Sequence, residues 1–164
     1  MPDLHWYPGH MTKAVRQMKE DIKLIDVVIE LVDARIPISS RNPDIDSLAA
    51  GKSRVIILNK ADMADDKATD AWVKYFTNEG LIAVKLNSKN GNGIKQVKDA
   101  IAKAAEAKMA RDRARGILNR PVRAIVGGIP NVGKSTFINS FAGRAVTKTG
   151  NKPGVTKGKQ WIRL

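Results

Sequence analysis

Residues 128–135 constrain the fold of this chain more than any other segment. They read GIPNVGKS, which matches the pattern GxxxxGK(S/T), with an apolar run at 123–127 before them and an apolar-faced stretch from Lys134 to about Ala142 after them. In that context the pattern predicts a strand, a glycine-rich loop and a helix. The backbone N–H groups of the loop and the N-terminus of the helix are expected to face phosphate oxygens. The alternative interpretation is a glycine-rich turn with a solvated lysine.

The rest of the chain alternates between strand and helix patterns. Strands are predicted at 26–33, 54–59 and 81–86, which are apolar runs rich in β-branched residues. A further strand is expected to begin at Gln160, after an irregular loop over 144–160. This alternation predicts an α/β domain of three layers with a mostly parallel sheet.

Three further helices are predicted from apolar residues at helical spacing. The first covers 11–25, the second covers 66–79 and stops at Gly80, and the third starts at Ile94 and runs into a basic end and linker at 108–116. Their inward positions include Met11, Val15, Met18, Ile22 and Ile25 in the first helix, and Ile94, Val97, Ile101, Ala104 and Ala105 in the third.

Composition narrows the class of protein and its partners. The chain has no cysteine, so disulfides and thiolate metal sites are excluded. No apolar run approaches the ~20 residues needed to cross a bilayer, and no signal-peptide pattern opens the chain, so we expect a cytoplasmic protein without a membrane partner.

The net charge is +13, and residues 101–164 carry +12 of it. This asymmetry predicts a polyanionic partner, nucleic acid before membrane; the alternative is a solubilising helix face with nucleotide-binding lysines.

A second motif follows the strand predicted at 54–59. Asn59, Lys60 and Asp62 stand in the sequence NKAD. A carboxylate at a strand end can accept two hydrogen bonds from the ring N–H and the amino group of guanine, a pair that adenine does not present. Lys60 is long enough to lay its stem along a purine face. Read alone, the motif is also compatible with a helix cap in a polar loop.

Other loops are expected to complete the site. Asn87, Ser88 and Lys89 follow the third strand, and the backbone N–H of Ser88 is expected to face the base. In the phosphate loop, Lys134 is expected to bridge the β- and γ-phosphates, and the Ser135 hydroxyl to ligate Mg²⁺. The nucleotide-binding residues predicted beside them are Asn131, Val132, Gly133 and Thr136.

Together, NKAD and GxxxxGKS resemble the guanine and phosphate signatures of Ras-like GTPases. The usual order places the phosphate loop first, whereas here it follows NKAD and NSK. The resemblance therefore implies a circularly permuted P-loop GTPase-like domain. Permutation is physically tolerable because the motifs lie on loops, so moving the termini changes connectivity and leaves the pocket unchanged.

The resemblance is closer to one family, the bacterial ribosome biogenesis GTPase A proteins, and covers essentially the whole chain. The segments that carry it, besides the phosphate loop, are HWYPGHM at 5–11, LVDARIP at 31–37, SSRNP at 39–43 and TGNKPGVT at 149–156. It implies binding of GTP and GDP with Mg²⁺, GTP hydrolysis, and a role in late assembly of the large ribosomal subunit. Contacts with ribosomal RNA and ribosomal proteins of the subunit precursor are implied as well.

The same resemblance implies three further roles. Thr156 matches a switch threonine that senses the γ-phosphate and Mg²⁺, and Asn131 matches an asparagine that helps to bind K⁺. His10 matches a proposed catalytic histidine, since a neutral imidazole can orient or deprotonate the attacking water. The alternatives are a loop threonine, a turn asparagine and a loop or core histidine.

The chain departs from the family at the motif DxxG, because no aspartate is followed by glycine three positions later. The family's C-terminal helical domain, expected to aid RNA binding, is also missing. We therefore expect residues 1–164 to be a truncated GTP-binding domain, or a shortened natural protein, that binds guanine nucleotide and hydrolyses it poorly. One alternative is a non-enzymatic ribosomal RNA-binding module in which nucleotide is only structural. A P-loop ATPase or kinase leaves NKAD unexplained.

Overall fold

A parallel four-stranded sheet forms the centre of the molecule. The computed structural model describes residues 16, 19–129 and 131–143. The strands are β1 (Val27–Asp33), β2 (Ser53–Asn59), β3 (Ile82–Lys85) and β4 (Ala124–Gly127), in the spatial order β3-β2-β1-β4. All three pairings are parallel. The predicted α/β fold with a parallel sheet is therefore confirmed.

Helices cover both faces of the sheet. They are α1 (Ile45–Leu48), α2 (Asp66–Asn78), α3 (Ile94–Ala114) and α4 (Lys134–Ala142), with a 3₁₀ turn at Ala61–Met63. The sequence pattern predicted α2, α3 and α4 but neither α1 nor the 3₁₀ turn. Most of the segment expected to be a linker after α3 is helical, because alanines and arginines favour a helix and nothing before Gly116 stops it.

The core lies on either side of β1 and β2. Every residue of β1 is buried, as expected of a strand covered on both faces. One face packs against α3 and α4, with buried residues that include Val97 and Phe137, and the other packs against Phe76 of α2. Near the start of the strands, Val28 packs with Ile45 of α1 and with Ile25.

Strand register determines where the loops lie. Asp33 at the end of β1 is paired with Asn59 at the end of β2, and Val27 at the start of β1 is paired with Ala124 of β4. Although β4 comes last along the chain, it lies next to β1, the first strand. The loops that follow β1, β2, β3 and β4 therefore all leave the same edge of the sheet, and these loops carry the sequence motifs.

Some predicted elements lie partly or wholly outside the described residues. Of the helix expected at 11–25, residues 19–22 are helical, and Ile22 and Ile25 are buried as predicted. The expected loop at 144–160 and the strand from Gln160 lie outside the described residues.

Candidate functional site

Asn59 connects three loops at the carboxyl edge of the sheet. Its side chain is buried at the end of β2. The Nδ2 group donates to the carbonyl of Val132 at 2.9 Å. Its Oδ1 atom accepts from the Ser88 hydroxyl at 2.7 Å and from the Ser88 backbone N–H at 3.2 Å. One amide thus joins NKAD, the 87–89 loop and the phosphate loop.

Lys60 makes a second link to the phosphate loop. Its backbone adopts a left-handed conformation with φ 60°, and its ammonium donates to the carbonyl of Asn131 at 2.7 Å. The same ammonium lies 3.6 Å from the Oδ2 atom of Asp33, at the end of β1. Its side chain therefore crosses from the NKAD motif to the phosphate loop and is fixed at its far end.

Asp33 supplies a buried negative charge beside that lysine. Its carboxylate accepts hydrogen bonds from Arg35 at the backbone N–H (2.9 Å), Nε (3.0 Å) and Nη2 (2.7 Å). The Arg35 guanidinium lowers the pKa of Asp33, and this effect outweighs burial, which acts in the opposite direction. Asp33 is therefore ionised at neutral pH and faces the Lys60 ammonium as a counter-charge.

The phosphate loop requires glycine at two positions for steric reasons. Gly133 has φ 91°, and a Cβ atom there would lie 2.6 Å from Nδ2 of Asn59. A Cβ atom on Gly128 would lie 2.7 Å from Val132 and 3.1 Å from the carbonyl of Leu31. Asn131 also adopts positive φ, at 69°. Any side chain at these glycines would push the loop away from β1 and from Asn59.

A surface pocket opens where these loops meet. Its lining residues come from the three motifs and from Met63 beside them: Asn59, Lys60, Asp62, Met63, Asn87, Ser88, Lys89, Gly133 and Thr136. The Asp62 side chain is exposed, so a ligand can reach it from solvent. The structure thus brings the predicted base residues and part of the phosphate loop into one pocket.

Sequence comparison relates the chain to known proteins. A family model described as "50S ribosome-binding GTPase" matches residues 123–164. Ribosome biogenesis GTPase A of Bacillus cereus is 51% identical over 161 residues, which is 98% of this chain and 54% of that protein. The chain is a homologue of ribosome biogenesis GTPase A. It spans about half the length of the curated relatives it matches.

Two solved structures resemble the fold. GDP-bound YlqF is 31% identical, with a TM-score of 0.58, over 78% of this chain and 48% of that one. GNP-bound YlqF from T. maritima is 32% identical, with a TM-score of 0.55, over 81% of this chain and 49% of that one. The P-loop GTPase-like fold predicted from the sequence is therefore confirmed.

Three predicted phosphate-binding residues lie at the start of α4. Lys134, Ser135 and Thr136 form its first turn, directly after Gly133. Burial lowers the pKa of the Lys134 ammonium. Among the described residues, no group of three or more His, Asp or Glu side chains could hold a metal on its own.

Several predicted site residues occupy places that the motifs did not specify. Val132 is buried beneath the pocket, and the Asn131 side chain is exposed. The Ser88 N–H, expected to face the base, donates to Asn59 in this structure. His10 and Thr156 lie outside the described residues. No helix in the described part of the chain is long and apolar enough to span a membrane.

Sequence reasoning missed three residues at this edge: Met63 in the pocket wall, and Asp33 with Arg35 next to Lys60. Asp33 carried a usable signal, because it directly follows a buried run and must emerge at the same sheet edge as Asn59. Met63 carried none, since its place depends on the 3₁₀ turn that NKAD adopts.

Proposed function

We propose that this chain is a guanine-nucleotide-binding GTPase domain that acts in assembly of the large ribosomal subunit. The observation that carries the proposal is the set of hydrogen bonds from Asn59 to Ser88 and Val132, which joins the base motif to the phosphate loop. Homology to ribosome biogenesis GTPase A supports the same conclusion. A cytoplasmic site of action and contacts with ribosomal RNA and ribosomal proteins of the precursor are part of this proposal.

The base would bind on the side of the pocket formed by NKAD. The Asp62 carboxylate is exposed in the pocket wall and would accept hydrogen bonds from the N–H and amino groups of guanine. Lys60, held at Asn131 and beside Asp33, offers its alkyl stem to the face of the purine. These two groups account for guanine selectivity, because adenine has no matching donor pair for Asp62.

The phosphates would bind at the N-terminus of α4. The backbone N–H groups of its first turn and its positive dipole end attract anions, and Lys134 adds a full charge. When bound, Mg²⁺ neutralises charge on the phosphates. Ser135 would hold it with Thr156, and Asn131 would contribute an oxygen to K⁺. His10 would orient the attacking water.

We expect the 164-residue chain to bind nucleotide more effectively than it hydrolyses it. The sequence contains no DxxG motif, so the aspartate and glycine that the Ras-like families use on the γ-phosphate side are not available within it. Nucleotide affinity depends on NKAD and the phosphate loop, which are both present. A single-turnover assay with GTP would therefore give tight binding and slow release of phosphate.

The substitution Asp62→Asn tests the base site. The amide presents a donor and an acceptor in place of two acceptors, so GDP affinity should fall roughly 100- to 1,000-fold while xanthosine diphosphate gains affinity. The measurement is calorimetric titration with GDP, ADP and xanthosine diphosphate. Asp70→Asn is the matched control, because Asp70 is an exposed carboxylate on α2 that pairs with Lys85. Equal affinities of the unmodified chain for GDP and ADP would overturn the proposal.

A further inference from the structure

The amino edge of the sheet, opposite the pocket, carries a group of exposed arginines. Arg111, Arg113 and Arg115 lie at the end of α3, and Arg123 directly precedes β4. All four are exposed, and none forms an ion pair with another described residue. We call these four residues the arginine patch.

The acidic groups next to the patch are already neutralised. Asp26 accepts from Arg120 at 2.9 and 3.0 Å and lies 2.6 Å from the ammonium of Lys108, and its side chain is fully buried. Asp112 also pairs with Arg120. Since Asp26 and Asp112 are paired with Arg120 and Lys108, they do not compensate the charge of the patch.

The same network holds the patch together. Arg120 links Asp112 in the last turns of α3 to Asp26 before β1. Asp26 and Arg123 are joined by two further bonds, one from the Arg123 N–H to the Asp26 carboxylate and one from the Asp26 N–H to the Arg123 carbonyl, both at 2.8 Å. Arg123 is thereby fixed close to the helix end that carries the other three arginines.

Helix capping alone does not account for this much charge. Gly116, with φ 82°, ends the helix, and the N–H of Ile117 bonds back to the carbonyl of Asp112 at 2.9 Å. The end of a helix dipole amounts to about half a negative charge, which a single cation already balances. Three arginines in the final turns and a fourth beside them exceed that need.

We propose that the arginine patch binds the phosphate backbone of RNA. The choice of RNA rests on the proposed function in ribosome assembly. The chemistry agrees, because the guanidinium group presents paired N–H donors that match phosphate oxygens and is more weakly hydrated than an ammonium. The seven residues of β1 separate the two edges of the sheet by about 20 Å, so RNA at the patch leaves the nucleotide pocket open.

The test is a triple variant, Arg111→Gln, Arg113→Gln and Arg115→Gln, assayed as the full GDP-bound chain. The probe is a fluorescently labelled RNA duplex of two helical turns, titrated by anisotropy over a series of salt concentrations. Because each phosphate contact releases counterions, the slope of log affinity against log salt should fall by about 3. We expect at least a tenfold loss of RNA affinity in low salt.

A charge-matched control separates the patch from net charge. The variant Lys67→Gln, Lys74→Gln and Lys95→Gln removes the same charge from exposed positions on α2 and at the start of α3. It should change RNA affinity less than threefold. Both variants should retain the melting temperature and GDP affinity of the unmodified chain. A loss of GDP binding would therefore indicate failure of the nucleotide site and would be measured separately from RNA binding.

Three results would overturn the proposal. The first is an equal loss of RNA affinity in the two triple variants, which would show that net charge alone binds RNA. The second is RNA affinity and salt dependence that the patch variant leaves unchanged. The third is an unmodified chain that binds phosphatidylserine vesicles but not RNA, together with a patch variant that no longer binds the vesicles.

Discussion

The two ends of β1 use the same pair of chemical groups for different purposes. Asp26 precedes the strand and Asp33 ends it, and each is a buried carboxylate held by an arginine. The Asp26 carboxylate is paired with Arg120 and Lys108 and has no contact with solvent. Around Asp33 a second cation, Lys60, extends from the carboxylate to the phosphate loop.

At the carboxyl edge, left-handed backbone conformations surround one hydrogen-bonded side chain. The carboxyl edge contains left-handed conformations at Lys60, Asn131 and Gly133, close to the hydrogen bonds of Asn59. Such conformations cost energy for residues other than glycine, and they persist where the surroundings fix them. The amino edge has left-handed residues of its own, Gly116 at φ 82° and Asn119 at φ 57°, and it also gains stability from its buried ion pairs. The comparison teaches that a buried Asp–Arg pair does not by itself mark a nucleotide site. What distinguishes the candidate nucleotide-binding edge is the link from Asp33 through Lys60 to the phosphate loop.

The largest effect is expected from Gly133→Ala at the carboxyl edge. The new Cβ atom would lie 2.6 Å from Nδ2 of Asn59 and would break the bond from Asn59 to Val132. We expect GDP affinity to fall roughly 100-fold, because the phosphate loop loses its fixed position, together with a loss of about 2–3 kcal/mol in unfolding free energy. Calorimetric titration and urea unfolding measure the two quantities.

Gly80→Ala is the matched control for backbone conformation. Gly80 has φ 85°, close to that of Gly133, but a Cβ atom there meets nothing within 4 Å. Gly80→Ala should lower the unfolding free energy by about 1 kcal/mol, because of the left-handed conformation alone, and leave GDP affinity unchanged. If both alanine variants bound GDP as well as the unmodified chain, the contact between Gly133 and Asn59 would have no part in the site.

Asp26→Asn is expected to be the largest change at the amino edge. Removing one partner of a buried ion pair typically costs 3–5 kcal/mol, and because Arg120 keeps Asp112 we expect about 2–3 kcal/mol. GDP affinity should change less than twofold, since the pocket lies at the other edge.

The pH dependence of stability checks whether the Asp26 ion pairs stabilise the fold. Burial would raise the pKa of Asp26, but hydrogen bonds from Arg120 and Lys108 outweigh it and lower the pKa to about 2. Asp26 therefore stabilises the fold above pH 4, and this contribution is lost as pH falls from 4 towards 2. Urea unfolding of the unmodified chain should show that loss, and the Asn variant should lack it. An identical acid profile for both chains would contradict the role of Asp26.

Most of the fold followed from hydrophobic patterns. The β1, β2 and α2 patterns were long and uniform, so their positions agree with the structure to within two residues. The short α1 helix was missed because four residues carry no helical periodicity, and its place depends on packing of Ile45 against Val28. Glu30 was not singled out either, although it is buried in the middle of β1, because its partners Arg41 and Arg54 come from separate loops and strands.

The candidate site was also predicted only in part from the sequence. NKAD and the phosphate loop were predicted because each motif is continuous in sequence, and the parallel strands bring their loops to one edge. The hydrogen bonds of Asn59 and the counter-charge from Asp33 were not predicted, because they depend on strand register and on side-chain direction. The role of Ser88 shows this limit, since its N–H faces Asn59 where the motif alone suggested the base.

Of the two asparagine variants, Asp33→Asn is expected to have the smaller effect on stability, and it compares the two ends of β1 directly. The amide keeps a bond from the Arg35 N–H but offers no counter-charge to the Lys60 ammonium, 3.6 Å away. We expect about a tenfold loss of GDP affinity and only about 1 kcal/mol of stability, because Arg35 is half-exposed and water replaces its lost contact. Asp26→Asn should give the opposite ratio of stability loss to affinity loss. If the two asparagine variants lost affinity and stability in the same proportion, Asp33 would be one more structural ion pair, and the Lys60 ammonium would be held by the Asn131 carbonyl alone.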